Sequence, residues 1–517
     1  MPIRTQVLTS FYQDSVVLMR TAGEVRALAG VREAAAFMGT PANHALLEQI
    51  GLSSDASRMA RPDDLILVVE AVTEATAESA LAAARERLSA KQEEATQVAE
   101  TRPRTLDSAL RLLPRANLVA ISVPGAYAKF EAMHALKRGL HVFLFSDHVS
   151  IDDEVELKEE ALRRRRLCMG PDCGTAYLNG IGLGFSNVIP RGRIGLVAAS
   201  GTGLQAVACR LAALGGGVSH GIGVGGRDLT AEVGARMTCF ALEVLASDTS
   251  TEAIVLVSKP PHPEVLPRLE ASLAGLSKPA VVCCLGAPAR PGDRVRWVDT
   301  LDGAAEAVVA ALQGREWSPH PFRDPGDVAA RLTRLRRQAT PAGCDILGLF
   351  SGGTLAHEAR LILDPLLGPV GHDEAPERHP RGHWILDLGD DRYTVGRPHP
   401  MLDPLLRAER IGAAGRSAHV GVLLLDLVLG RGTHPDPAES LGRAGRQARA
   451  AAESEHRSLV AVASVVGTAQ DPQGLDRQLG QLTEAGVEVL CTNAEAARFA
   501  ALLVRPDLEP SLLEATP

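Results

Sequence analysis

The chain lacks the features that mark several large classes of protein. No uninterrupted apolar run reaches about 18 residues, the length a membrane-spanning helix needs, so a bilayer is not an expected partner. The opening Met1-Pro-Ile-Arg-Thr-Gln carries no apolar signal core, and a cytoplasmic location is the expectation. There is no excess of positive charge: 54 Lys and Arg stand against 62 Asp and Glu, a formal net charge of −8. Non-specific nucleic-acid binding needs clustered cations to neutralise phosphates, so no nucleic acid is expected either. The eight cysteines (168, 173, 209, 239, 283, 284, 344 and 491) show no paired spacing beside histidines. Most fall in apolar segments, where Cys acts as a small hydrophobe, and no metal site is expected.

Aromatic residues are scarce too, at 3%, whereas 49 glycines and 32 prolines accompany long Ala, Leu and Val runs. That mixture describes strands and helices in alternation joined by tight turns, an α/β chain. With 517 residues, 45% of them hydrophobic, there is material for three or four domains at roughly 150 residues each.

Two distant segments repeat one pattern: an apolar strand, a Gly-rich turn with Ser and Thr, then a helix. One carries Ser200, Gly201, Thr202 and Gly203, the other Ser351, Gly352, Gly353 and Thr354. A helix start leaves backbone N–H groups unpaired and carries partial positive charge, and glycine lets an anion approach the backbone. Ser and Thr also favour such positions for local capping. Two starts in one chain nevertheless point to one shared phosphate site.

Around these segments the pattern of strands and helices divides the chain. Strands at 6–12, 31–38 and 65–71, with helices between and after them, read as a small α+β domain of ferredoxin or ACT type over 1–98, and 91–104 as a polar linker. Residues 99–189, with strands at 118–123 and 141–145 and a helix at 152–166, look like half of a doubly wound sheet. The Arg163 to Arg166 run closes a Glu-rich helix and reads as a solvated face rather than a nucleic-acid patch. Strands at 194–199, 217–224, 253–257 and 280–285 make 190–338 a flavodoxin-like unit. Strands at 346–350, 384–388, 420–426, 459–465 and 487–490 repeat its order within 339–517, so internal duplication is the economical reading. In a doubly wound sheet ligands sit at the carboxyl edge of the strands, which brings Gly225, Gly226, Arg227 and Asp228 into view, Arg227 as a fork for a carboxylate or phosphate.

At these residues the chain resembles succinyl-CoA synthetase. Gly170-Pro-Asp-Cys-Gly174, Arg191-Gly-Arg-Ile-Gly-Leu-Val-Ala-Ala-Ser-Gly-Thr-Gly203, Gly221-Ile-Gly-Val-Gly-Gly226 and Glu252-Ala-Ile-Val-Leu256 follow its α-subunit in order and spacing. The second half is similar to the CoA-ligase domain of the β-subunit, with Asp426-Leu-Val-Leu-Gly430-Arg-Gly432 at the place of its phosphate turn. The FdrA family fuses such pieces into one chain, and its marks are found in Tyr12-Gln-Asp14-Ser15, Met38-Gly39-Thr40 and Gly396-Arg397-Pro398-His399-Pro400-Met401-Leu402-Asp403-Pro404. The resemblance implies a truncated Rossmann-like CoA-binding-type domain followed by two flavodoxin-like CoA-ligase-type domains.

The departures bear on mechanism. The synthetases phosphorylate a histidine in a Gly-His-Ala-Gly loop, steadied by a glutamate. Here no histidine lies between His262 and His320, and Val257 is followed by Ser258-Lys259-Pro260. Residues 5–87 hold no Gly-x-Gly-x-x-Gly turn for a CoA diphosphate, and no ATP-grasp domain is present. CoA is therefore the one cofactor the resemblance raises, without the turn that would support it.

The FdrA family is associated with carbamoyl transfer in ureide breakdown. The resemblance thus implies the phosphate-binding subunit of an oxamate carbamoyltransferase, acting on an acyl or carbamoyl phosphate and a small carboxylate acceptor within a hetero-subunit assembly and homo-oligomer. The alternatives are an acyl-CoA synthetase subunit and a non-catalytic scaffold or sensor. On this reading Ser200 to Gly203, Ser351 to Thr354, Gly225, Gly226, Gly430 and Gly432 hold phosphate, and Arg227, Arg397 and His399 are catalytic. Asp172 and Cys173, at the place of a synthetase Asn-Cys pair, join Asp228 as substrate-binding candidates.

Overall fold

The computed structural model describes residues 2–514 apart from Tyr12, Asp14, Ile50 and the stretches 98–102, 339–344, 373–380 and 395–397. It divides into two compact units, Met1–Pro114 with Thr394–Pro398, and the remainder.

In the first unit β1 (Ile3–Leu8), α1 (Ser15–Arg26), β2 (Val31–Met38), α2 (Pro41–Gln49), α3 (Asp55–Arg58), β3 (Leu65–Ala71), α4 (Glu74–Gln97) and α5 (Leu106–Leu112) follow in order. The sheet is antiparallel with β3 central, in the order β1-β3-β2. Successive side chains of a strand point to opposite faces, so Leu65, Leu67 and Val69 pack against Leu18, Ala77 and Ala84. Ile66 and Val68 pack on the other side with Leu47 and Leu52. The first half of the segment expected as a linker continues α4 to Gln97, because residues 91–97 are polar but hold good helix formers and no Gly or Pro.

The second unit opens with β4 (Leu118–Ile121), α6 (Gly125–Lys137), β5 (His141–Leu144), α7 (Ile151–Arg163) and β6 (Cys168–Met169), a three-stranded parallel half-sheet. The hairpin β7 (Thr175–Leu178) and β8 (Ile181–Gly184) comes next, turning through Asn179 and Gly180 at φ 54° and 81°. It pairs with the following sheet rather than with β6, so the expected boundary at 189/190 cuts across that sheet.

Then come β9 (Arg191–Ala198), α8 (Gly201–Ala213), β10 (Val218–Gly223), α9 (Arg236–Ser247), β11 (Ala253–Ser258), α10 (Leu266–Ala274), β12 (Ala280–Cys284), β13 (Val295–Trp297), α11 (Leu301–Leu312) and α12 (Pro325–Gln338). The last stretch holds β14 (Asp345–Phe350), α13 (Gly353–Leu367), β15 (Trp384–Asp387), α14 (Asp391–Thr394), α15 (Leu405–Gly415), β16 (Val420–Val428), α16 (Pro437–Ser454), β17 (Val460–Val466), α17 (Leu475–Glu484), β18 (Val487–Leu490), α18 (Asn493–Val504) and α19 (Glu509–Leu513).

Counted within each domain, the parallel strands run in one order, second-first-third-fourth-fifth: β10-β9-β11-β12-β13 and β15-β14-β16-β17-β18. This is the flavodoxin-like order, in which the first βα turn lies at the reversal of strand order, where ligands bind. The two domains therefore share one strand order, as their repeated pattern of strands and helices predicts. Strands buried on both faces read as continuous apolar runs, and all nine residues of β16 are buried. One hydrophobic core, from Leu196 and Leu204 to Phe350, Leu355 and Phe499, runs through both domains.

Candidate functional site

The two Gly-rich turns meet. Ser200 has extended backbone and caps α8, its Oγ accepting from the Gly203 amide at 2.9 Å. Gly352 caps α13 with no side chain to contribute. Ser200 Oγ and Thr354 Oγ1 share a short hydrogen bond across the junction. The packing is reciprocal: a Cβ built on Gly203 would lie 3.1 Å from Thr354 Cγ2, and one built on Gly352 would lie 3.1 Å from Thr202. The amides of Gly201, Thr202, Gly353 and Thr354 begin their helices and have no intrahelical acceptor. Two positive helix ends thus face one another, as the sequence led us to expect.

Not all of the second turn is open to an anion. The buried Asp426 carboxylate accepts from the amides of Ser351 and Gly352, both at 2.8 Å, and from Ser351 Oγ at 3.0 Å. Arg407, also buried, sits 3.0 Å from Asp426 Oδ1 and donates to Leu349 O and Asp426 O, while burial lowers its own affinity for the proton. An internal carboxylate therefore fills the place the sequence reading gave to phosphate at Ser351 and Gly352. Gly353 and Thr354 remain for a ligand.

The groups around the junction differ in charge state. A Cβ on Gly353 would fall 2.3 Å from Asp387 Oδ2, so the carboxyl rests against the first turn of α13. Burial, with Asp390 and Asp426 nearby, raises Asp387 to about 6, against the Gly389 amide that donates to it. His399 Nδ1 accepts from the Met401 amide at 3.2 Å, which leaves the ring proton on Nε2. That nitrogen is 2.6 Å from a Cβ built on Gly389. Burial lowers His399 to about 4, so the ring is neutral at physiological pH. Phe185 lies 6.2 Å from it, centroid to centroid, and Thr175 Oγ1 is 3.3 Å from a Cβ built on Gly201. Lys259 is exposed just past β11, and its charge acts on Asp387, Asp390 and His357.

Other candidates have different surroundings. Arg397 lies outside the described residues. Arg227 is paired within the fold, donating to Glu154 Oε2 at 2.9 Å and Val149 O at 2.8 Å. Asp228 is fully buried, accepting from Lys158 Nζ at 2.8 Å and from the amides of Met237 and Thr238. Asp228 ties α7 to the start of α9, and Arg227 holds the first turn of α7, so both residues expected at the site are engaged in contacts within the fold. Cys173 is buried, its thiol raised to about 12 by desolvation and aimed at the carbonyls of Thr175 and Gly223, so it offers no nucleophile. The exposed Asp172 rides on a loop wedged between two candidate turns. A Cβ on Gly225 would lie 2.5 Å from Pro171 O, and one on Gly201 would lie 3.8 Å from Gly174 Cα. Gly226 borders open space.

The Gly430–Gly432 turn is closed. The Gly430 amide donates to Gln473 Oε1, and that of Arg431 to Ser186 O. Cβ atoms on Gly430 and Gly432 would meet Ser186 O at 2.7 Å and Phe185 at 3.1 Å. The turn fastens the β8–β9 connection to the second ligase-type domain instead of presenting amides to phosphate. Lys259, Phe185 and Thr175 were not chosen from the sequence. Lys259 alone left a signal, a cation where the synthetases have a glutamate.

Comparison with known proteins agrees with this architecture. The family model described as AllF, heavy metal-associated domain matches residues 1–104, and the CoA-ligase model matches residues 349–503. YahF of Escherichia coli (strain K12), an uncharacterized protein, is 37% identical over 502 residues, 94% of this chain and 96% of its own. The alpha subunit of the ADP-forming succinate–CoA ligase of Methanothermobacter thermautotrophicus is 30% identical over 182 residues, 35% of this chain and 60% of that subunit. Among solved structures, a dinucleotide-forming acetyl-coenzyme A synthetase of Ca. Korarchaeum cryptofilum covers 78% of this chain and 85% of its own, at 14% identity and a TM-score of 0.29, an overlay too loose to inform function. Fold and relatives define an α/β protein with succinyl-CoA-synthetase-like, CoA-ligase-type domains. The chain belongs to the FdrA family, whose fused architecture it shares end to end with YahF.

Two ligands these names bring to mind do not fit the residues present. Residues 1–104 contain no cysteine and one histidine, His44, whose Nε2 lies 3.1 Å from Ala60 O. No cluster of three metal-ligating side chains occurs among the described residues. For CoA, the half-sheet follows α5 with no Gly-rich strand-to-helix turn before it. The turn it does contain is capped by Pro124, and a Cβ on Gly125 would lie 2.4 Å from Asp147 O and 2.5 Å from His148 O. Carbonyl oxygens beside that helix start disfavour a diphosphate.

Proposed function

We propose that the chain is the phosphate-binding subunit of a carbamoyltransferase, joining carbamoyl phosphate and oxamate to give oxalurate and phosphate. The observation that carries this reading is the meeting of the α8 and α13 starts, with the amides of Gly201, Thr202, Gly353 and Thr354 at one junction. These amides hold the phosphate, and Lys259 offsets its charge. The acceptor nitrogen attacks the carbonyl carbon, the bond from that carbon to the phosphate oxygen breaks, and phosphate leaves with the electron pair. The proton of the attacking nitrogen passes to the departing phosphate. His399, neutral with its proton on Nε2, donates to the carbonyl oxygen as charge develops there.

The transfer needs positioning and charge stabilisation rather than a phosphorylated side chain, in keeping with the absence of histidine between His262 and His320. His399 is poorly disposed to replace the relay, since its unprotonated nitrogen already accepts from Met401. In a phosphate-release assay with carbamoyl phosphate and oxamate, His399→Ala is expected to lower kcat about 100-fold. Unchanged turnover in that variant contradicts the role.

The second reading, an acyl-CoA synthetase subunit, draws its support from the CoA-ligase match and the succinate–CoA ligase relative. Acid-labile labelling of the protein by ATP radiolabelled at the γ-phosphate distinguishes the two. The transferase reading expects none.

A further inference from the structure

A second cluster joins the two ligase-type domains, around a cavity that also borders the first turn of α13 at Leu355. Cys491 is exposed at the end of β18, one residue before Thr492, the N-cap of α18. Its sulfur receives two guanidinium groups from the first ligase-type domain: Arg323 Nη1 at 3.3 Å and Arg210 Nη1 at 3.6 Å. Both donors are cationic, and a helix start adds partial positive charge beside the thiol. Arg210 is more than nine-tenths buried. Its Nη2 pairs with Glu306, but its Nε is shielded from solvent and has no partner among the described residues.

Arg210 and Cys491 both line a cavity of about 230 Å³, which also reaches Asp302, Leu355, Glu358 and Asn493. A reactive cysteine needs access, an electropositive setting and room for what it takes up. Cys168, Cys173, Cys209, Cys283 and Cys284 are buried and fail on access, and burial raises the half-exposed Cys239 above its ordinary range.

We propose that Cys491 is a modification site that exchanges with small anionic disulfides. The thiol first loses its proton to water, and the sulfur then attacks one sulfur of the disulfide. A new S–S bond to Cys491 forms as the old one breaks, and the other half departs as a thiolate that takes a proton from solvent. Cys491 is oxidised and the departing sulfur reduced, with no further oxidant. The attached group extends into the cavity, where a carboxylate takes the Arg210 Nη1 that Cys491 releases. The adduct displaces the guanidinium contacts that link Cys491 to the first ligase-type domain.

The test exposes the reduced full-length chain to glutathione disulfide and follows adducts by intact-protein mass spectrometry and peptide mapping, which separates Cys491 from Cys239 and from Cys344, outside the described residues. One adduct is expected on Cys491, forming about tenfold more slowly in Arg323→Gln, whose altered side chain is exposed and outside the core. Cys491→Ser removes it. Absence of an adduct on Cys491, or an equal rate in Arg323→Gln, overturns the proposal.

Discussion

At the scale of the residue, Asp387 makes the proposed phosphate site sensitive to pH. Its carboxyl lies against α13 and titrates at about 6, raised chiefly by burial from 3.8. A carboxyl that holds its proton more tightly when folded lowers stability as pH rises from 3.8 through about 6, where only the unfolded chain ionises freely. The same ionisation sets a negative charge beside the open amides of Gly353 and Thr354, so anions bind best below that range. Sulfate, whose own charge is constant from pH 5 to 8, is expected to bind about tenfold more tightly at pH 5, the effect of roughly 1.4 kcal/mol of repulsion. Asp387→Asn should bind equally at both values. Calorimetry checks this, and a pH difference that persists in the variant assigns it to another group. In the sequence Asp387 stands just upstream of the Gly396–Pro404 motif and carries no mark of its own. Its place against Gly353 depends on β15 pairing beside β14, a contact that spacing along the chain does not show.

Among the elements, α7 illustrates how a polar sequence becomes core. Glu154 and Lys158 stand one turn apart, and Lys158 Nζ donates to Glu154 Oε1 at 2.6 Å, to Asp228 Oδ1 and to Val224 O. Arg227 completes the set, so two cations and two anions balance. Removing one partner from a buried pair costs about 3–5 kcal/mol, and Lys158→Met, which leaves Glu154 and Asp228 with Arg227 alone, is expected to lower the thermal transition of this unit accordingly. A shift within experimental error contradicts the balance described.

The same helix shows what could be read beforehand. Arg163 and Arg164 pair locally with Glu160, as expected of a solvated face, whereas Arg165 reaches Glu243 on α9 and Arg166 donates to Gly139 O. The strands of both ligase-type domains were legible because buried parallel strands are long apolar runs. The hairpin β7–β8 was missed although its Asn179-Gly180 turn is a strong local signal, since each strand is short and every second residue of β8 is glycine. The closure of the Ser351–Gly352 amides by Asp426 was also missed, because it joins the ends of two strands far apart in sequence.

Across the larger unit, two like domains meet along one core. At their junction the fully buried Glu358 accepts from the Leu301 amide at 2.7 Å and from Asn493 Nδ2 at 2.8 Å. Burial, with Asp302 nearby, lifts it to about 7 from 4.5. Its contribution to stability therefore falls as pH rises from 4.5 through about 7. The difference in melting temperature between Glu358→Gln and the unaltered chain is expected to shift in favour of the variant between pH 5 and pH 8. A constant difference contradicts this.

The central claim is that the two helix starts form one anion site for an acyl phosphate. The measurement is calorimetric titration of the full chain with carbamoyl phosphate, inorganic phosphate and CoA, repeated on Gly201→Val and Gly353→Val variants whose melting temperatures confirm folding. The account predicts that carbamoyl phosphate binds, that phosphate competes with it, that CoA does not bind, and that either substitution abolishes the heat. Tight binding of CoA without carbamoyl phosphate, or binding of carbamoyl phosphate unaltered in both variants, would contradict it.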